Sequence, residues 1–321
     1  MIDKYKRNIN YMRISLTDRC NLRCVYCRPD VELMVEHIEI LRYEEILRVA
    51  SCAVSLGITR FKITGGEPLV RKGAVDFIAR LKELKGVKQV TLTTNAILLE
   101  QCLPQLLTCG IDGINISLDT LDRDTYRQIT GGGRPEQVIQ AVEAAVAAGI
   151  KCKLNCVPLS VLQNEDLIEL VKYACGLQVP LRFIELMPLF CNNKLISYSG
   201  TELREILVNA GYVLEKIKEN LGNGPAVYYE AAKNDNKQIL GFIEPLHNKF
   251  CGSCNRVRLT STGQLKPCLY SKSTIDLRQL LRSGLDDAQI TEVLKQAIYN
   301  KPVGHHFEDN PASFCMNEIG G

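Results

Sequence analysis

Between Tyr11 and Asn209 the chain alternates short runs rich in β-branched and aromatic residues with longer stretches whose apolar positions recur every three to four residues. The short runs predict strands over 11–16 (YMRISL), 60–64 (RFKIT), 90–94 (VTLTT), 113–118 (GINISL), 153–157 (KLNCV) and 181–186 (LRFIEL). The longer ones predict a helix after each strand, over 43–56, 72–85, 98–108, 135–148, 164–175 and 200–210. βα units in series, recurring about every 25 to 40 residues, predict parallel strands joined by right-handed crossovers. The expected fold class is α/β: an incomplete (β/α)6 TIM-type barrel, open on one side.

The pattern changes at KENLGNGPA (218–226), which reads as a linker. Beyond it AVYYE, ILGFIEP, RVRLTS and LKPCLY predict short strands, and a helical tail runs from about Ile275 to Tyr299. The expected organisation is a core barrel over 1–218 and a smaller C-terminal module over 219–321.

Composition narrows the possibilities. With 321 residues, 46% of them apolar, the chain can fill a large core. A net charge of +3 calls for neither nucleic acid nor an anionic membrane as partner, so any anion site must be local. The N-terminal segment lacks the apolar centre of a secretory leader and no run is long enough to span a bilayer, so a cytoplasmic protein is expected. In a reducing compartment the 14 cysteines then read as metal ligands or small buried apolar residues.

Spacing separates the two kinds. Cys20, Cys24 and Cys27 cluster after the first predicted strand, and Cys251, Cys254 and Cys268 cluster near the end. Neither triplet has a fourth cysteine nearby. His247 could complete a Cys3His zinc site for the second, but a [4Fe-4S] cluster on three thiolates leaves one iron open to a ligand, which chemistry requires. Polar residues also gather where strands end, at Thr64 to Glu67, Thr93 to Asn95, Ser117 and Asp119, Lys153 and Asn155, and Glu185 to Met187. Arg256 and Arg258 alternate along a predicted strand and so share a face, an arrangement suited to a polyphosphate.

CNLRCVYC (20–27) resembles the Cys-x3-Cys-x2-Cys signature of radical S-adenosylmethionine enzymes, and ITGGEPLV (63–70) their GGEP segment. The resemblance implies that a [4Fe-4S] cluster on Cys20, Cys24 and Cys27 binds S-adenosylmethionine, with Tyr26, Gly66, Glu67, Ser117 and Met187 near that cofactor. It also implies reductive cleavage to a 5′-deoxyadenosyl radical.

YMRISLTDRCNLRCVYC, INISLDTLD, LRFIELMP, GNGPAVYY, FCGSCNRVRLT, GQLKPCL and the terminal IGG, in this order, are similar to the GTP 3′,8-cyclase family, which opens molybdenum cofactor biosynthesis. This implies a second [4Fe-4S] cluster on Cys251, Cys254 and Cys268 that takes the guanine base. It implies a GTP site of Arg13, Lys62, Thr93, Lys153, Arg256, Val257 and Arg258, with Arg71 and Arg182 as supporting charges. Gly320 and Gly321 are implied to reach the active site as its catalytic tail. The implied reaction is hydrogen abstraction from C3′ of GTP, attack on C8 and reduction to 3′,8-cyclo-7,8-dihydro-GTP.

An electron donor and hand-over of the product to cyclic pyranopterin monophosphate synthase are implied partners, and a homodimer is compatible with the family. The alternatives are another radical S-adenosylmethionine enzyme with an auxiliary cluster, such as a peptide modifier, or a two-zinc binding module. The chain departs from the family at Ala96, where glycine is common, in a longer loop at 131–135, and at Cys315, where arginine is common.

Overall fold

The computed structural model describes residues 1–27, 35–189, 194–218, 221–271, 274–307 and 314–320. In the first part of the chain, strands β1 (Tyr11–Ser15), β2 (Arg60–Thr64), β3 (Gln89–Thr94), β4 (Gly113–Ser117), β5 (Cys152–Cys156) and β6 (Leu181–Ile184) lie within two residues of their expected spans. Helices α1 (Tyr43–Ser55), α2 (Ala74–Glu83), α3 (Leu99–Thr108), α5 (Pro135–Ala147), α6 (Asn164–Gly176) and α7 (Gly200–Asn209) follow them. Local signals fix their ends: Pro135 opens α5, and before α7 the Ser199 hydroxyl accepts from Glu202 N while the Glu202 carboxylate accepts from Ser199 N at 2.7 Å.

The later elements are β7 (Val213–Lys216), β8 (Val227–Lys233), β9 (Asn236–Ile243), β10 (Arg256–Leu259), β11 (Gln264–Lys266), β12 (Ile275–Asp276), α8 (Leu277–Arg282), α9 (Asp287–Tyr299) and α10 (Met316–Ile319). The single helix expected over 275–299 is therefore two, broken where Gly284 turns to φ +91°. Helix α4 (Arg123–Thr130), β7 and α10 were not expected. The strand expected at LKPCLY shrinks to β11.

All twelve strands join one sheet, in the order β12-β11-β10-β1-β2-β3-β4-β5-β6-β9-β8-β7. β10 pairs parallel to β1, and β9 parallel to β6, so the strands beyond residue 219 extend the barrel arc at both edges. Beyond these two strands the pairing turns antiparallel, and among the described residues β9 and β10 are not joined. The arc is the expected incomplete barrel, lengthened by two parallel strands.

Side-chain alternation decides what each face does. Met12 and Ile14, Phe61 and Ile63, Val90 and Leu92, Ile114 and Ile116 all point outward into the apolar layer under the helices. Their neighbours Arg13, Lys62, Thr93 and Ser117 point into the lumen. The core thus lies between sheet and helices, and the lumen is polar.

Candidate active site

The loop leaving β1 carries the first cysteine triplet and is fixed by main-chain bonds on several sides. Gly66 N and Glu67 N donate to the carbonyls of Thr17 (2.7 Å) and Arg19 (2.8 Å), while Arg23 N and Val25 N donate to those of Thr130 (2.8 Å) and Ile129 (2.9 Å) at the end of α4. A Cβ at position 66 would sit 2.4 Å from Arg19 O, so glycine is required there by the passage of the cysteine loop. This is a nearer reason for GGEP than close approach of a cofactor.

Cys20, Cys24 and Cys27 border a cavity of about 230 Å³ together with Gly66, Glu67, Ser117 and Met187. Tyr26 borders it too, but its hydroxyl donates to Asp119 Oδ2 at 2.9 Å, and Asp119 Oδ1 accepts from Val157 N at 2.8 Å. Burial raises the Asp119 carboxyl to about 6. Glu67 is buried and accepts from Leu69 N (3.0 Å), Thr94 Oγ1 (2.9 Å) and Asn95 N (2.7 Å), while burial pushes its carboxyl up to about 7. Tyr26 and Glu67 therefore hold the rim together through their polar atoms.

Below this cavity the lumen carries charge in rows. Strand register places Arg258 beside Arg13, and Arg13 beside Lys62, three cations across three neighbouring strands. Like charges directly opposite one another repel, more so when desolvated. Burial, and then the neighbouring cations Arg13 and Arg256, hold Arg258 well below its usual range; burial followed by Arg182 and Arg13 does the same to Lys62. Lys62 has no hydrogen-bond acceptor among the described residues. Arg182 turns into the same space and donates to Asn155 Oδ1 at 2.9 Å and to Asn115.

This second cavity, of about 180 Å³, is bordered by Cys251, Cys254 and Cys268 as well as by the cations, and among the described residues no Asp or Glu borders it. Arg13, Thr93, Met187 and Arg258 border both cavities, so the two are continuous. The Thr93 hydroxyl is buried there with no protein partner among the described residues. His247 is elsewhere: its exposed ring meets Glu185 and does not border the cysteine cavity, so it is not placed as the fourth ligand of the alternative Cys3His site.

The tail enters this arrangement at Gly320. Arg258 Nη1 donates to Gly320 O at 2.7 Å, and a Cβ on Gly320, at φ +74°, would lie 2.8 Å from Thr64 Cγ2. Upstream, Met316 N donates to Cys27 O at 3.1 Å, and Cys315 is buried before α10. Gly321 lies outside the described residues.

Three residues expected at the site border neither cavity. Val257 packs outward in the apolar layer because it alternates with Arg256 and Arg258, so its side chain does not border the cavity. Arg71 lies outside the lumen, donating to the carbonyls of Leu16 (2.6 Å) and Leu41 (2.7 Å) and stacking on Tyr43. The Lys153 ammonium sits at the foot of the lumen, donating to the Leu221 carbonyl and lying 3.4 Å from the Tyr228 hydroxyl, outside both cavities.

The sequence also left residues unnamed. Lys301 is almost fully buried, borders the second cavity, and donates to Arg256 O at 2.9 Å and to Pro267 O. Arg7, buried and paired to Asp3 at 2.6 Å, donates to Cys251 O (3.0 Å) and Pro302 O (2.7 Å). Buried cations capping carbonyls cannot be told from surface charges by composition or period.

Two donor sets are thus present, each of three thiols around an open volume rather than a single ion position; among the described residues no three His, Cys, Asp or Glu side chains are placed to hold one ion. Soft thiolates on a roomy cavity suit an iron–sulfur cluster with an exchangeable position.

Residues 14–174 match the family model described as the Radical SAM superfamily, and residues 179–307 match Molybdenum Cofactor Synthesis C. The fold is similar to that of Streptococcus suis SuiB bound to its precursor peptide SuiA, with TM-score 0.67 and 18% identity over 93% of this chain and 66% of that one. Over 100% of both chains, this protein is 40% identical to a GTP 3′,8-cyclase of Heliobacterium modesticaldum and 39% identical to one of Clostridium perfringens. The lumen of adjacent thiol triplets and stacked cations described above is therefore that of a member of the GTP 3′,8-cyclase family within the radical SAM superfamily.

Proposed function

We propose that this chain is an enzyme converting GTP into its 3′,8-cyclised dihydro derivative, the first committed step toward molybdenum cofactor. The observation that carries this is the row Arg258–Arg13–Lys62, three buried cations in strand register with no carboxylate on their cavity among the described residues, placed where the two thiol triplets' cavities meet. A lumen that repels itself in this way is stabilised by an anion of several charges, as a triphosphate is.

When bound, a [4Fe-4S] cluster on Cys20, Cys24 and Cys27 supplies the electron, and S-adenosylmethionine the abstracting group, for removal of hydrogen from C3′. The chain's own residues do the rest. Arg13, Lys62, Arg182, Arg256 and Arg258 take the phosphates, and the Thr93 hydroxyl offers an unused bond at the junction of the cavities. Cys251, Cys254 and Cys268 would hold a second [4Fe-4S] cluster against the guanine. Gly320, hydrogen-bonded to Arg258, closes the upper end of the lumen against water.

In this reading the division at residue 218 is one of chemistry: the first part handles S-adenosylmethionine, and 219–321 completes the GTP site. A reducing cytoplasm, an electron donor, and transfer of the product to cyclic pyranopterin monophosphate synthase belong to the same proposal. Among the described residues no helix is long and apolar enough to cross a membrane. Anaerobic incubation of reconstituted protein, carrying about eight irons per chain, with GTP, S-adenosylmethionine and a reductant tests it. The expected result is 5′-deoxyadenosine and a cyclised nucleotide in step; zinc in place of iron, or cofactor cleavage without change in GTP, overturns it.

A further inference from the structure

Below the two cavities described above, at the N-terminal ends of the strands, lies a third, open one of about 830 Å³. Gly224, Pro225, Phe250 and Arg256 border both it and the cavity holding the second cysteine triplet, so the lumen continues into it. Its charge has one sign. Arg60, Lys216, Lys218, Lys249 and Arg256 border it, and among the described residues no Asp or Glu does. Arg60, Lys216 and Lys218 make no ion pair among the described residues.

Strand register links this cavity to the inner charges. Arg256 and Arg60 are both register partners of Tyr11, two residues along their strands from Arg258, Arg13 and Lys62. The cations thus descend the lumen in two successive rows and end at an open mouth. The upper end is obstructed, by the first cysteine loop lying across Gly66 and by Gly320 wedged against Thr64 and Ser15.

From this geometry we infer that the open basic cavity is the access route for the nucleotide and an outer polyphosphate site, where Lys216, Lys218 and Arg60 engage the phosphate chain before the inner row receives it. Cations around the mouth of a low-dielectric channel focus the field and raise the rate of anion capture, by roughly tenfold or more. Lys216 and Lys218 are exposed, one at the end of β7 and one just past it, so they can meet the ligand in solvent. The guanine has no charge for them to select, so the recognised chemistry is the triphosphate. This inference rests on the proposed function, deepening it by naming how the substrate arrives.

The test is stopped-flow binding of GTP to the anaerobic, cluster-loaded full chain, comparing wild type with Lys216→Glu/Lys218→Glu and with Lys172→Glu, the same kind of charge change on the exposed face of α6. The expected result is an association rate lowered about tenfold in the double variant at low salt, a weaker salt dependence, and no change in Lys172→Glu. Inorganic tripolyphosphate should compete with GTP for association in wild type and do so less well in the double variant. An unchanged association rate in the double variant, or an equal loss in Lys172→Glu, overturns the inference while leaving the proposed function standing. A wild-type protein that binds no GTP under any condition overturns the proposed function itself.

Discussion

The guanidinium of Arg258 holds the carbonyl of Gly320 at 2.7 Å, so the tail is bonded to a residue in the innermost cationic row. The tail is thereby tied, through a backbone carbonyl, to the charges that face the substrate.

Replacing Gly320 with alanine should break that tie. The new Cβ would lie 2.8 Å from Thr64 Cγ2 and 2.9 Å from Ser15 Cβ, in a left-handed conformation costing about 1–2 kcal/mol for a residue with a side chain. We expect product formation to fall at least tenfold while GTP still binds, with protease cleavage appearing in the last residues. Full activity with an unchanged digestion pattern would show that the wedge has no role.

Arg7 and Lys301 together reach all three segments of the second triplet: Arg7 caps Cys251 O, and Lys301 caps Arg256 O and Pro267 O beside Cys254 and Cys268. Arg7→Met should strip the guanidinium from the buried Asp3 carboxylate and the Pro302 carbonyl, and Lys301→Met the ammonium from the carbonyls of Arg256 and Pro267, at about 1–3 kcal/mol apiece. Iron per chain should fall toward half its wild-type content, with binding of S-adenosylmethionine retained. Equal loss of iron from both triplets would point to general unfolding instead.

Lys153 is lowered to about 8, by burial first and by Arg182 second. In the free enzyme it therefore carries its charge below about pH 8 and loses it above. If it contributes attraction to the triphosphate, GTP affinity should weaken by up to about tenfold between pH 7.5 and 9. Lys153→Arg, charged throughout, should flatten the curve. Parallel curves for the two proteins would remove Lys153 from the nucleotide site.

Glu67 offers a stability test whose sign runs the other way from an exposed, ion-paired carboxylate. Its folded value is about 7 against an ordinary 4.5, so between these values the folded state binds the extra proton and stability declines as pH rises. The decline attributable to this group is about 2–3 kcal/mol. Urea midpoints at pH 5 and 7.5 should therefore differ less in Glu67→Gln than in wild type; the same difference in both would place the titration elsewhere.

Much of this was legible because the strands follow a strict period of two, so Arg256 and Arg258 read as sharing a face, while Arg13 and Lys62 came through the family resemblance although the same alternation sets them against apolar neighbours. The same rule, applied to Val257, would have placed it outward, and a family pattern overrode it. Helix α4 was missed because its face is mostly polar, although its carbonyls brace the first cysteine loop. The pairing of β10 with β1 was illegible for a different reason: parallel partners so far apart leave no local trace. Ala96 was visible as a departure, and the structure gives it content, since it sits at φ +63° where glycine would be unstrained.

The seating of β10 against β1 also sets a timetable for synthesis. Met12 finds its partner Val257, and Arg7 its partner Cys251, only after most of the chain has left the ribosome. The first strand made must wait, one edge exposed, for one of the last. Contacts this distant in sequence slow folding and prolong exposure of the unpaired edge. The nascent protein can thus assemble its first thiol triplet, with the loop's α4 brace, well before it owns a substrate chamber, and premature termination would yield a half-barrel prone to stick to its neighbours.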